Sequence, residues 1–149
     1  MKKIFVMIVA AAVLAGCGEK TYQYTKDIVG AWSLQSMEYQ DVVYPVGDAT
    51  SENGFTGQFS WEFKDDGTYT ASSTLGPVES DDFDDSLPFR ANGEYKGYYL
   101  VSAPKGFRIR EEYRGASHFS AFEIKGNEMV CQYTPNNSED PVKLTFTKK

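Results

Sequence analysis

The sequence predicts an all-β protein, an antiparallel up-and-down β-barrel of about eight to ten strands. Three observations carry that prediction. From Gly30 onward no window keeps apolar residues at helical spacing for long enough to make a helix of ordinary length. Short runs that alternate polar and apolar residues are instead separated by tight-turn residues. Aromatic residues make up 15% of the chain, ten Tyr and ten Phe among them, and such side chains suit a pleated surface buried on one face. Closing the sheet on itself would also remove edge strands, which an exported domain must otherwise protect.

The N-terminus says that the domain is exported. Lys2 and Lys3 precede an apolar run from Ile4 to Ala15, then Gly16 and Cys17. Charge followed by an apolar stretch too short to span a bilayer stably is the layout of a secretory signal. A buried N-terminal helix would show a polar face, and this run has none. Leu14-Ala15-Gly16-Cys17 resembles the bacterial lipobox, in which the thiol is acylated and a peptidase cuts before the cysteine. The resemblance implies a lipid on Cys17, with several acyl chains and hence a stable membrane anchor. The expected division is a lipoprotein signal peptide at 1–16, a lipidated anchor and linker at 17–27, and the barrel domain at 28–149. The residue after the cysteine is Gly18, not the aspartate of inner-membrane retention in enterobacterial lipoproteins. The expected location is the cell envelope, at the outer membrane, facing the periplasm or the surface.

The strands follow in order. "GAWSLQSMEY" opens the domain. In "GQFSWEFKDDGTYTAS", Phe59, Trp61 and Phe63 alternate with Ser60 and Glu62, so one face is aromatic and the other polar. Asp65-Asp66-Gly67 suits a three-residue hairpin loop, which would place Phe63 opposite Tyr69 and Trp61 opposite Ala71. "GEYKGYYLVS" is expected to turn at Lys96-Gly97, pairing Tyr95 with Tyr98 and leaving Leu100 on the same face. "FRIREEY" sets Phe107, Ile109, Glu111 and Tyr113 against Arg108, Arg110 and Glu112. "FEIKGNEMVCQY" turns at Gly126-Asn127 and puts Phe122 and Ile124 with Met129, Cys131 and Tyr133. "VKLTFTKK" closes the domain with Val142, Leu144 and Phe146 on one face. Pro45 to Gly57 and Leu75 to Phe89 read as long loops at the rim.

Composition excludes several function classes. The net charge is −6 and no basic run offsets it, so no phosphate-neutralising patch for nucleic acid is expected. With Cys17 acylated, Cys131 has no disulfide partner, and it reads as a small core residue. One histidine, His118, and one thiol do not make a zinc site. Nothing marks a nucleophile or a carboxylate to orient His118, so no enzyme, cofactor or metal is expected. Asp82, Asp84 and Ser86, near Glu79, Asp81 and Asp85, offer oxygen ligands for Ca²⁺, but without the glycine and distal glutamate of an EF-hand loop. A solvated acidic loop is the simpler reading. Asp85-Ser86-Leu87 also resembles an O-glycosylation acceptor.

A family pattern emerges from four places: Gly30-Ala31-Trp32 at the first strand, "F-x-x-D-G-T-Y" at Phe63–Tyr69, "G-x-Y" at Gly93–Tyr95, and "F-x-I-x-x-N-x-M" at Phe122–Met129. Together they resemble the lipocalin-like lipoproteins of bacteria over residues 28–147. The resemblance implies that Gly30 and Trp32 form the closed base of the barrel, with Trp32 under Lys143 or Lys148. The expected function is to bind a small hydrophobic or amphipathic ligand. The residues expected to line its site are Trp61, Tyr69, Tyr95, Tyr98, Glu111, Phe122 and Tyr133. These side chains could equally fill the interior, since an eight-strand barrel lies at the boundary between solid and hollow. The alternative is an inhibitor or protein-interaction module, acting through the acidic 79–85 loop on a basic enzyme such as a lysozyme, or on a protease.

Overall fold

The computed structural model describes residues 23–48, 50–75, 93–102, 106–112, 115–135 and 138–149. Nine strands follow one another along the chain: β1 (Gly30–Tyr39), β2 (Val42–Pro45), β3 (Phe59–Phe63), β4 (Thr68–Ser73), β5 (Gly93–Val101), β6 (Phe107–Glu111), β7 (Gly115–Lys125), β8 (Glu128–Tyr133) and β9 (Val142–Lys148). Each strand from β3 onward pairs antiparallel with the next, and β9 pairs with β1, so the sheet closes. β2 and β3 share one edge of β1, β2 beside its second half and β3 beside its first. The ring therefore has eight positions, and the fold is the all-β antiparallel up-and-down barrel that the alternation pattern predicts.

Local sequence explains the turns. Phe63 faces Tyr69 and Trp61 faces Ala71 across the β3–β4 hairpin. Gly67 takes φ 84° there, and Asp66 accepts hydrogen bonds from the Thr68 amide at 2.9 Å and its hydroxyl at 2.6 Å. Those two bonds hold the exposed Asp66 carboxyl below its ordinary range. Lys125 faces Glu128 across the Gly126-Asn127 turn. The β1–β2 turn uses Gln40 and Asp41, both at positive φ, 48° and 64°, as a tight hairpin with a right-handed twist requires.

One expected turn is absent. Lys96-Gly97 does not reverse the chain, because β5 runs unbroken from Gly93 to Val101 with β4 on one edge and β6 on the other. Continuous pairing satisfies backbone groups on both edges, which an isolated hairpin could not do. Period-two alternation then places Tyr95, Gly97, Tyr99 and Val101 inward and turns Tyr98 and Leu100 outward, 63% and 57% exposed. Gly97 is needed for close approach: a Cβ there would lie 2.0 Å from the Arg110 carbonyl oxygen of β6.

Bulges break the alternation twice. The register between β1 and β9 shifts between Leu34 and Ser36, so Trp32, Leu34 and Met37 all face inward. Ala121, at φ 46°, lies in a second shift on β7, and both Phe119 and Phe122 are buried as a result. A strict alternation traced back from the Gly126 turn finds Phe122 but not Phe119.

The core is the barrel interior. Phe59, Trp61, Phe63, Tyr69, Phe107, Phe119, Met129, Leu144 and Phe146 are fully or almost fully buried. Burying each large apolar side chain contributes about 1.5–3 kcal/mol before ordering costs. A short helix at residues 23–27, within the segment read as a linker, precedes β1. Its Tyr24 ring lies 5.4 Å from Phe122, and Ile28 just beyond it is completely buried. The helix thus covers the end of the barrel at which β1 begins and β9 ends.

Candidate functional site

At the helix-covered end, Trp32 is fully buried and its indole Nε1 donates to the Ile28 carbonyl at 2.7 Å. Lys148 Nζ lies 5.3 Å from the centre of the Trp32 ring and donates to the Asp27 carbonyl at 3.4 Å. Gly30, at φ 129°, makes room for it, since a Cβ there would be 2.8 Å from Lys148 Cε. Of the two candidate lysines, Lys143 points elsewhere and pairs with Glu38 at 3.6 Å. This end is therefore locked by one tryptophan, one lysine and a glycine that lets them meet.

The interior above it is aromatic and interlocked. Trp61 stacks on Phe146 at 4.6 Å and meets Phe119 edge-on at 5.3 Å and Phe107 at 5.9 Å. Phe107 stacks on Phe119 at 4.8 Å. Such offset and edge contacts are the favoured arrangements of the ring quadrupoles. Of the sequence-predicted ligand residues, Trp61 therefore sits at the centre of a packed cluster. Phe122 lies toward the helix-covered end, between Tyr24 and Phe107. Tyr133 is half-buried, 5.7 Å from Phe119.

Glu111 ends β6 and faces inward, 8% exposed. Register places it across from Gly97, whose other neighbour is Tyr69, with Tyr95 two residues earlier on β5. Three polar-tipped side chains from adjacent strands, Tyr69, Tyr95 and Glu111, thus share the inner face of β4–β6, all buried. Glu111 also lies where β6 turns back toward β7, opposite Gly115 at the rim. Tyr98, predicted with this group, is on the outer wall instead, because the missing turn inverts its side. Tyr99 takes the inward position; its hydroxyl donates to the Lys64 carbonyl at 2.6 Å, and partial burial raises its pKa, helped by Asp66 and Asp65.

A concavity of about 700 Å³ lies on the outside, over β3, β4 and β5. Its lining combines outward residues such as Glu62, Thr70 and Lys96 with the inward-facing Trp61, Tyr95 and Glu111. That lining mixes polar and apolar surface, whereas a lipid carrier's pocket is mostly apolar. Cys131 is completely buried, and desolvation pushes its thiol pKa far up, so it stays protonated. Among the described residues no group of three His, Cys, Asp or Glu side chains could hold a metal ion. Cys17, the acidic 79–85 loop, Asp82, Asp84 and Ser86 lie outside the described residues.

Residues 1–17 match the model of the prokaryotic membrane lipoprotein lipid attachment site. No curated protein matches the chain. Among solved structures, fatty-acid-binding protein 1 of Echinococcus granulosus is similar at 15% identity and a TM-score of 0.43, over 83% of this chain and 98% of that one. A point mutant of the fluorescent protein UnaG is similar at 14% identity and a TM-score of 0.40, over 83% and 97%. At these identities no ligand passes from either protein to this one. With the attachment site at its N-terminus, the chain is a lipid-anchored protein of the prokaryotic cell envelope, built on a closed eight-position β-barrel.

Proposed function

We propose that this protein is a tethered binding module that takes a small amphipathic molecule at the barrel rim, without catalysing a reaction on it. The observation that carries the reading is Glu111, a carboxylate on the inner face beside Tyr69 and Tyr95, at the strand end next to the rim. A carboxylate on an otherwise aromatic inner face, placed next to an opening, offers a polar anchor that the head of an amphipathic ligand can reach. The packed cluster around Trp61 argues against a ligand that fills the whole barrel, as a long acyl chain would. The ligand is accordingly short, with an apolar part against the aromatics and a cationic or hydrogen-bond-donating head at Glu111. Gly18 in place of the retention aspartate favours the outer membrane as the site of anchoring.

The test is native mass spectrometry of the lipidated protein from its own membrane, followed by titration with short-chain alkylamines. A bound small molecule, with affinity for the amines lowered about tenfold or more in Glu111→Gln, is the expected result; charged hydrogen bonds of this kind contribute about 1.5–3 kcal/mol. A clean apo mass together with no amine binding would overturn the reading.

A further inference from the structure

The outer face of β5 carries a surface that plays no part in ligand binding at Glu111. Tyr98 and Leu100 project from the outer wall, and their cross-strand neighbours on β6 are Arg110 and Arg108. The same rows continue onto β7 as Ala116 and His118. Both arginines and His118 are exposed, and no acidic residue occupies either row. Among the described residues neither guanidinium is in an ion pair. The acids nearby have other partners or places: Glu112 reaches Lys96 at 3.9 Å, Asp66 is bound to Thr68, and Asp65 sits in the β3–β4 turn. A cationic and aromatic patch on a chain of net charge −6 is a local reversal of sign.

We propose that this face of β5–β7 docks on the surface of the membrane that holds the lipid anchor, against anionic glycerophospholipid headgroups. Two observations choose that occupant. The first is charge complementarity: arginines beside a tyrosine and a leucine match an interface that is negatively charged outside and apolar just beneath. The second is the tether. The described chain starts at the helix-covered end, with Tyr24 against Phe122 of β7, the strand that also carries His118. From Cys17 to residue 23 even a fully extended chain reaches only roughly 20 Å. The barrel is thus held close to the bilayer, and leaves its anchor on the side of the patch. The barrel then lies on its wall, with its rim open to the aqueous side and not to the lipid.

The experiment uses the mature lipidated protein in vesicles that carry a headgroup-level spin-label quencher. Leu100→Cys and, on the opposite wall, exposed Thr147→Cys are each labelled with an environment-sensitive fluorophore, which the buried Cys131 thiol does not compete for. In phosphatidylglycerol-rich vesicles the probe at 100 should be quenched and blue-shifted, and the probe at 147 should not. Arg108→Ala and Arg110→Ala should each lower the ratio of docked to free protein about fivefold, as should comparable loss of lipid charge. High salt should weaken docking too. Equal quenching at the two positions overturns the proposal, as does quenching at 100 that ignores lipid charge. Concentration-dependent pairing through residue 100 in detergent, without lipid, would assign the face to a second copy and overturn it as well. Both arginine side chains face outward and Glu111 faces inward, so amine binding is expected to be unchanged in these variants whichever way the result falls.

Discussion

Lys148 shows how much one side chain can do in a small barrel. Its stem lies beside Gly30, its ammonium faces the Trp32 ring, and it also holds the carbonyl of Asp27 at the end of the helix. Lys148→Met keeps the stem and removes the charge. It should cost about 1–2 kcal/mol, from a cation–π contact and one hydrogen bond to a charged donor. Urea unfolding should show a lower midpoint with an unchanged slope, the sign of lost stability without a change in exposed surface. The pairing of Trp32 with Gly30 is expected from the resemblance to lipocalin-like lipoproteins. That Lys148 and not Lys143 completes them depends on register: Lys148 is paired opposite Trp32, while Lys143 lies opposite Glu38.

At the scale of the element, β5 is the most informative strand. A Lys-Gly pair between aromatic runs reads locally as a turn, yet here it lies in mid-strand. The glycine serves a close approach between β5 and β6, and its φ is not in the left-handed region. Gly97→Ala should therefore destabilise by about 2 kcal/mol or more, since its methyl would meet a backbone carbonyl that cannot move alone. The alternative, a turn at this position, predicts that alanine is nearly harmless. Thermal unfolding of the variant distinguishes the two. β7 teaches the same lesson from the other side: its bulge at Ala121 brings Phe119 into the core, and no local signal announces it.

For the whole molecule, closure decides the behaviour. β9 seals the ring against both β8 and β1, and it supplies Val142, Leu144 and Phe146 to the core. A chain stopped after residue 141 loses Phe146 from beneath Trp61 and leaves β1 and β8 as open edges. It should fail to give a monomer and should aggregate, which size-exclusion chromatography would show. Because β1 and β9 stand at opposite ends of the domain sequence, closure is also the least local contact, and a slow folding step is expected to belong to it. The same closure makes the outer wall matter. With the ring closed and only the short β2 paired on one side alone, the barrel meets other surfaces chiefly through its rim and its outward side chains.

Alternation of apolar and polar residues, turn residues at short spacing and a lipobox determined the all-β class, the hairpins at Asp65–Gly67 and Gly126–Asn127, most of the core and the lipid anchor. All of these are local properties, readable within a few residues. Tertiary structure alone decided three things. It showed that Gly97 is a packing glycine, that bulges put Phe119 and Met37 inside, and that Tyr98 and Leu100 face outward beside Arg108 and Arg110. The physical reason is the period of the strand: one residue of error in where a strand turns or bulges moves every later side chain to the opposite face, and only the pairing partners on both edges settle that count.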